Sequence, residues 1–139
     1  MKVQGLLEVL NVDGYERMLG IRSGEQLIYC TALQADEYLE LGESSSVLVV
    51  GQPISVEVFL SVASVSSAQC SEECGLVQDI AESPHAIVTG DVLAITGEDS
   101  CVLGLNHQGD LLVEFELPVK PLPGQRVCVV GELMVVDAD

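Results

Sequence analysis

The thiols and imidazoles are the residues whose types and spacing first raise the question of chemistry. Cys70-Ser-Glu-Glu-Cys74 is the one clustered pair of cysteines. Placed on a helix, residues four apart share a face, so the two sulfurs would point together. A structural zinc site needs four ligands with short spacing in each pair. The remaining candidates, Cys30, Cys101, His85 and His107, do not repeat that spacing, and two intervening Glu side chains would repel a thiolate pair. Cys70 and Cys74 are therefore weak metal candidates, with a redox pair as the other sharp reading and one buried plus one near-surface thiol as the plain one. Cys30, Cys101 and Cys128 sit among aliphatic neighbours, as small hydrophobes do. Reduced thiols and a cytoplasmic location are expected.

His85 follows Pro84, and His107 precedes Gln108-Gly109 in a turn. The members of a nucleophile–base–acid triad need not be sequence neighbours. However, no Gly-x-Ser-x-Gly elbow, phosphate loop or dinucleotide fingerprint occurs. No catalytic residue and no cofactor is assigned, and the chain is not read as an enzyme.

Carboxylates are the remaining chemistry. There are 22 acids against five bases, a net charge of −17, and the acids run through the whole chain. Lys2, Arg17, Arg22, Lys120 and Arg126 are scattered, so no basic stripe exists to track phosphates. With no Trp, two Phe and three Tyr, stacking platforms for bases are scarce too, and direct binding to nucleic acid is not expected. The acids serve either as a solvated coat or as a surface for a basic protein partner. The residues assigned to that partner surface are Asp36, Glu37, Glu40, Glu43, Asp110, Glu114 and Glu116, with Tyr38 as an aromatic anchor. Tyr15 and Phe59 are further exposed aromatics of the same kind.

These side chains must be held by strands. Ile54, Val56, Val58, Leu60 and Val62 alternate with Ser55, Glu57, Phe59 and Ser61, and Leu111, Val113 and Phe115 alternate with Leu112, Glu114 and Glu116. Period-two alternation marks strands with one buried face. Asp13-Gly14, Ser23-Gly24, Gly97-Glu98-Asp99 and Gln108-Gly109 supply the turns. Strands are predicted near 3–11, 15–22, 25–32, 47–50, 53–64, 86–95, 100–106, 110–117 and 125–136. The last is apolar on both faces, so it needs cover, from a homodimer partner or from a helix. Two helices are predicted. One covers Ala35–Gly42; the other covers Ser71–Glu82, with Ser71 as cap, acids in its first turn and Pro84 beyond its end.

The chain also resembles itself. Val3–Val9 is echoed by Val88–Ala94, Met18–Arg22 by Val102–Asn106, and Gly51–Val56 by Gly124–Val129. The offset falls from 85 to 73 positions, which places about a dozen extra residues in the first copy, at Gln34–Ser46. The organisation expected is a first β-repeat over 1–64 with an acidic insertion at 34–46, a linker with a short helix over 65–85, and a second β-repeat over 86–139. A flexible entry to the linker is placed at Ser64–Gln69.

The fold class is all-β with small α content: a compact Greek-key or OB-like β-barrel built from two repeated units with approximate two-fold symmetry. Two small abutting β-barrels are the alternative. No run of 18 apolar residues or signal-peptide pattern occurs, so no membrane association is expected. The function expected is a non-catalytic acidic interaction module of adaptor, inhibitor or toxin-neutralising type that binds a basic protein. The alternative is a small-ligand-binding or enzymatic β-barrel.

Overall fold

The alternating runs become nine strands in the computed structural model, which describes residues 1–65 and 73–136. In chain order these are β1 (Lys2–Asp13), β2 (Glu16–Ser23), β3 (Gln26–Leu33), β4 (Pro53–Val65), β5 (Gly75–Val77), β6 (His85–Gly97), β7 (Ser100–Gly104), β8 (Asp110–Phe115) and β9 (Arg126–Val135). A single 3-10 turn, Asn106–Gln108, follows β7, and the described residues contain no α-helix. Cys70, the capping Ser71 and most of the predicted entry at Ser64–Gln69 lie outside the described residues.

Three local expectations are corrected. Ala35–Gly42 is a pair of turns rather than a helix. Its Leu39 is buried and exchanges main-chain hydrogen bonds with Gly14, at 2.8 and 3.0 Å. Two turns of helix carry the full nucleation cost with little propagation to offset it, so one buried leucine and a two-bond bridge win. The described part of Ser71–Glu82 is not helical either. It forms β5, which pairs antiparallel with β6, while Leu76 buries its side chain. Just beyond, the Gln78 amide accepts from Tyr29 N at 2.8 Å and donates to Tyr29 O at 2.7 Å, standing in for a strand on the edge of β3. Finally, Val47–Val50 joins no strand. The chain instead meets β1 just after it, where Gly51 N donates to Leu7 O at 2.7 Å and Leu7 N to Gln52 O at 3.0 Å.

The pairings form closed circuits. β1 pairs antiparallel with β2 over Leu6–Asp13 and with β4 over Lys2–Leu6, and β2 pairs with β3. β3 meets β9 in parallel at Thr31 and Met134, and β9 runs antiparallel to β4. The path β1–β2–β3–β9–β4 thus returns to β1. In the same way β6 pairs with β7 and with β9, β7 with β8, and β8 lies parallel to β4. The path β6–β7–β8–β4–β9 returns to β6. The β4–β9 pair belongs to both circuits, and β5 is added outside β6.

Local details recur between the circuits. The β1 ladder slips between Leu7 and Val9, and the β6 ladder between Val92 and Ala94. Gly51 and Gly124 both take positive φ, 95° and 84°, which a side chain would disfavour. The bonds of Gly51 and Gln52 to Leu7 are matched by Gly124 N to Val92 O at 2.7 Å and Val92 N to Gln125 O at 2.9 Å. Where β1 passes from β4 to β2, a Cβ on Gly5 would fall 1.9 Å from the Arg22 carbonyl oxygen, so only glycine allows the approach.

One aliphatic core fills the interior. Val3, Leu7, Leu19 and Ile21 of the first circuit, Val88, Val92, Leu103 and Leu111 of the second, and Val58, Leu60, Val129 and Leu133 of the shared pair are all buried. β9 has strands of both circuits beside it, and its Val127, Cys128, Val129 and Leu133 are buried within the chain, while Val130, Met134 and Val135 are half-buried.

Candidate functional site

The acidic insertion is organised by a residue that sequence reading counted only as a scattered base. Arg17 is fully buried. Its Nη1 donates to the carbonyls of Gly14 and Glu16 at 2.9 and 3.1 Å. Its Nη2 donates to Glu37 O at 2.6 Å and to Glu37 Oε1 at 3.2 Å. The signal was available: Arg17 alternates with Leu19 and Ile21 on the inward face of β2. Only its charge argued for the surface.

Glu37 is correspondingly turned to the chain rather than to solvent. It accepts from Ser45 Oγ at 2.5 Å, Ser46 N at 2.9 Å and Ser46 Oγ at 2.8 Å. The Ser45 hydroxyl, the Ser46 amide and hydroxyl, and then Arg17 hold its carboxyl down at about 2. Glu37 and Arg17 together lash residues 37–46 to the tip of the β1–β2 hairpin.

That lashing brings Tyr38 onto Tyr15, with ring centroids 5.1 Å apart and planes at 73°. Both rings remain exposed, at 59% and 50%. Around them stand Asp13, Glu16, Asp36 and Glu40, all exposed. Asp13 and Glu16 are directly opposite one another across the β1–β2 ladder. Like charges in that relation destabilise a sheet. Glu43 closes the same loop, its carboxylate accepting from Glu40 N at 2.8 Å. Of the predicted partner residues, Asp36, Tyr38, Glu40 and Glu43 are thus brought together, joined by Asp13, Tyr15 and Glu16.

Asp110, Glu114 and Glu116 lie on or just past β8, in the second circuit, and are exposed. Glu114 sits opposite Ser100 and Asp110 opposite Gly104. Among the described residues no hydrogen bond or ion pair links them to the insertion. Phe59 is half-buried.

Two further arginines are engaged in pairs. Arg22 forks onto Glu8 at 3.2 and 3.1 Å, and Arg126 onto Asp91 at 2.9 and 3.2 Å. The Arg126 guanidinium holds the Asp91 carboxyl below its ordinary value, and Cys74 Sγ lies 3.8 Å from Asp91 Oδ2. Among the described residues no three His, Cys, Asp or Glu side chains converge as a metal set. Cys30, Cys101 and Cys128 are buried and unbridged. Desolvation raises the Cys30 thiol to about 12 and pushes the Cys101 thiol up as well. His107 is exposed on the 3-10 turn, and His85 Nδ1 lies 3.7 Å from Asp79.

No family model, curated protein or solved structure matches the chain. No helix among the described residues is long and apolar enough to cross a membrane.

Proposed function

We propose that this chain is a non-catalytic interaction module, built from two OB-like β-units that share their last strands, and that it binds a basic protein partner at the acidic end of the first unit. The repeat is supported by the matched bulges, the matched glycine turns and the pairings that map β1–β4 onto β6–β9. The OB-like reading is supported by the three-stranded meander followed by a parallel neighbour in each circuit.

The binding reading rests on the Tyr15–Tyr38 pair within its ring of Asp13, Glu16, Asp36 and Glu40. Two exposed aromatic rings among uncompensated carboxylates suit Lys and Arg side chains, which take cation–π contacts from the rings and charge from the rim. The one arginine nearby, Arg17, is buried and already engaged, so it does not neutralise the surface. The buried, unbridged thiols support a reducing, cytoplasmic setting.

The test is capture from lysate on immobilised wild type and on two variants, Tyr15→Ala/Tyr38→Ala and Asp13→Asn/Asp36→Asn/Glu40→Gln. Wild type retains a basic protein at low salt and releases it at high salt, and both variants lose it. Capture unchanged in both variants, or indifferent to salt, refutes the reading.

A further inference from the structure

β1 carries an open edge. Its first residues pair with β4, and Leu7 is closed off by Gly51 and Gln52. At the far end, Gly14 is closed off by Leu39. Between these two clasps, residues 9–13 pair with β2 on one side, Glu8 standing in the slip of that ladder, and residues 8–13 pair with no strand on the other. The connecting segment 40–50 bows away from this edge and leaves a cleft of about 570 Å³, lined by Leu10, Asn11 and Val12 on one wall and Leu41, Leu48 and Val49 on the other.

An unpaired edge is a template for another extended chain, and proteins blunt such edges with proline or charge. The connection of the second circuit, residues 116–125, does carry three prolines in ten residues. Its counterpart, residues 34–52, has none in nineteen. It instead leaves Leu41, Val47, Val49 and Val50 largely in water beside the cleft.

We propose that this cleft receives an extended basic peptide, which adds as a strand to the 8–13 edge of β1 with alternate apolar residues against Leu10, Val12 and the 41–50 wall. The proposal rests on the basic-partner reading above and names the form in which the partner is presented. The backbone edge calls for an extended peptide, because only a strand offers donors and acceptors in that alternation. The charge calls for a basic one: Glu43 lines the cleft, and Asp13 and Glu40, next in the chain to the lining Val12 and Leu41, are exposed. The same argument disfavours a second copy of this chain, since both partners would bring −17.

Three synthetic heptapeptides test this: alternating Lys and Val, the same sequence with alternate amides N-methylated, and a neutral form with Gln for Lys. Affinity is read by fluorescence anisotropy at low salt, and residues 8–13 by amide hydrogen exchange in NMR. The Lys/Val peptide binds and slows exchange of the outward amides in 8–13 at least tenfold. Both the N-methylated and the neutral forms bind at least tenfold more weakly. Equal binding of the N-methylated form overturns strand addition while leaving the acidic-surface reading intact. Equal binding of the neutral form overturns the requirement for charge, and with it both readings. No binding by any peptide overturns the proposal, as do outward amides of 8–13 already protected in the free protein, whether by Val47–Val50 in a monomer or by β1 of a second copy in a dimer.

Discussion

Arg17 takes a charge into the interior of the first circuit and meets it with three carbonyls and one carboxylate. Replacing it by Met keeps much of the volume but removes the donors to the carbonyls of Gly14, Glu16 and Glu37 and to the Glu37 carboxylate, and removing one partner of a buried pair costs about 3 kcal/mol or more. Urea unfolding of Arg17→Met is expected to show a loss of that order, whereas Lys2→Met, at an exposed site, changes little. Glu37 gives a pH signature. Its carboxyl is held at about 2 against an ordinary 4.5, so its contribution is fully present above 4.5 and is lost as pH falls toward 2. The gap in urea midpoint between wild type and Glu37→Gln is therefore expected to shrink over that window and vanish below it. A constant gap would mean the carboxylate is not what the two serines hold. Thiol chemistry follows burial: native alkylation is expected to spare Cys30, Cys101 and Cys128 and to label Cys74, with all of them labelled in denaturant, as mass mapping would show.

The strand most strained by its double duty is β4. Its ladders to both β8 and β9 slip between Leu60 and Ser64, and within the slip Val62 takes φ 50°, a region that β-branched residues avoid. Across from it, a Cβ on Gly131 would meet Ser61 O at 2.7 Å. Val62→Gly is thus expected to be neutral or to stabilise by up to about 1 kcal/mol, the relief of the left-handed backbone exceeding the entropy added to the unfolded chain. Gly131→Ala is expected to destabilise clearly, and thermal melts of the pair check both signs. None of this bend was legible beforehand. The alternation of Ile54–Val62 revealed a strand, because period two is a local property, but the two neighbours that bend it are distant in sequence. The double-faced apolarity of Val127–Val136 marked a strand that needs cover on both faces, without showing which strands flank it. The helix expected over Ser71–Glu82 failed for a similar reason. Gln78 is held by Tyr29, 49 residues away, and no local stripe records that tether. At the candidate site, Tyr38 and its acids were legible as an insertion, whereas Arg17, which positions them, was hidden by its charge.

Across the whole molecule, the acids that sequence composition counted are almost all on the surface. Every described Asp and Glu except Glu37 and Asp91 is exposed, while Arg17 is buried and Arg22 and Arg126 are held in pairs. Such a surface works against the compact state, because folding concentrates like charges that the unfolded chain keeps further apart. Screening relieves this within a Debye length of about 10 Å at 0.1 M salt. The melting temperature is therefore expected to rise as NaCl is raised from about 10 mM to about 0.5 M, with most of the gain in the first part of that range. Binding of a basic partner moves the other way in the same titration, since salt weakens the attraction between the two surfaces. The opposed signs separate the effects: a protein losing its partner because salt damages its fold would lose both together. A melting temperature that falls with salt would mean that the few ion pairs, Arg22–Glu8 and Arg126–Asp91 among them, outweigh the repulsion of the uncompensated acids.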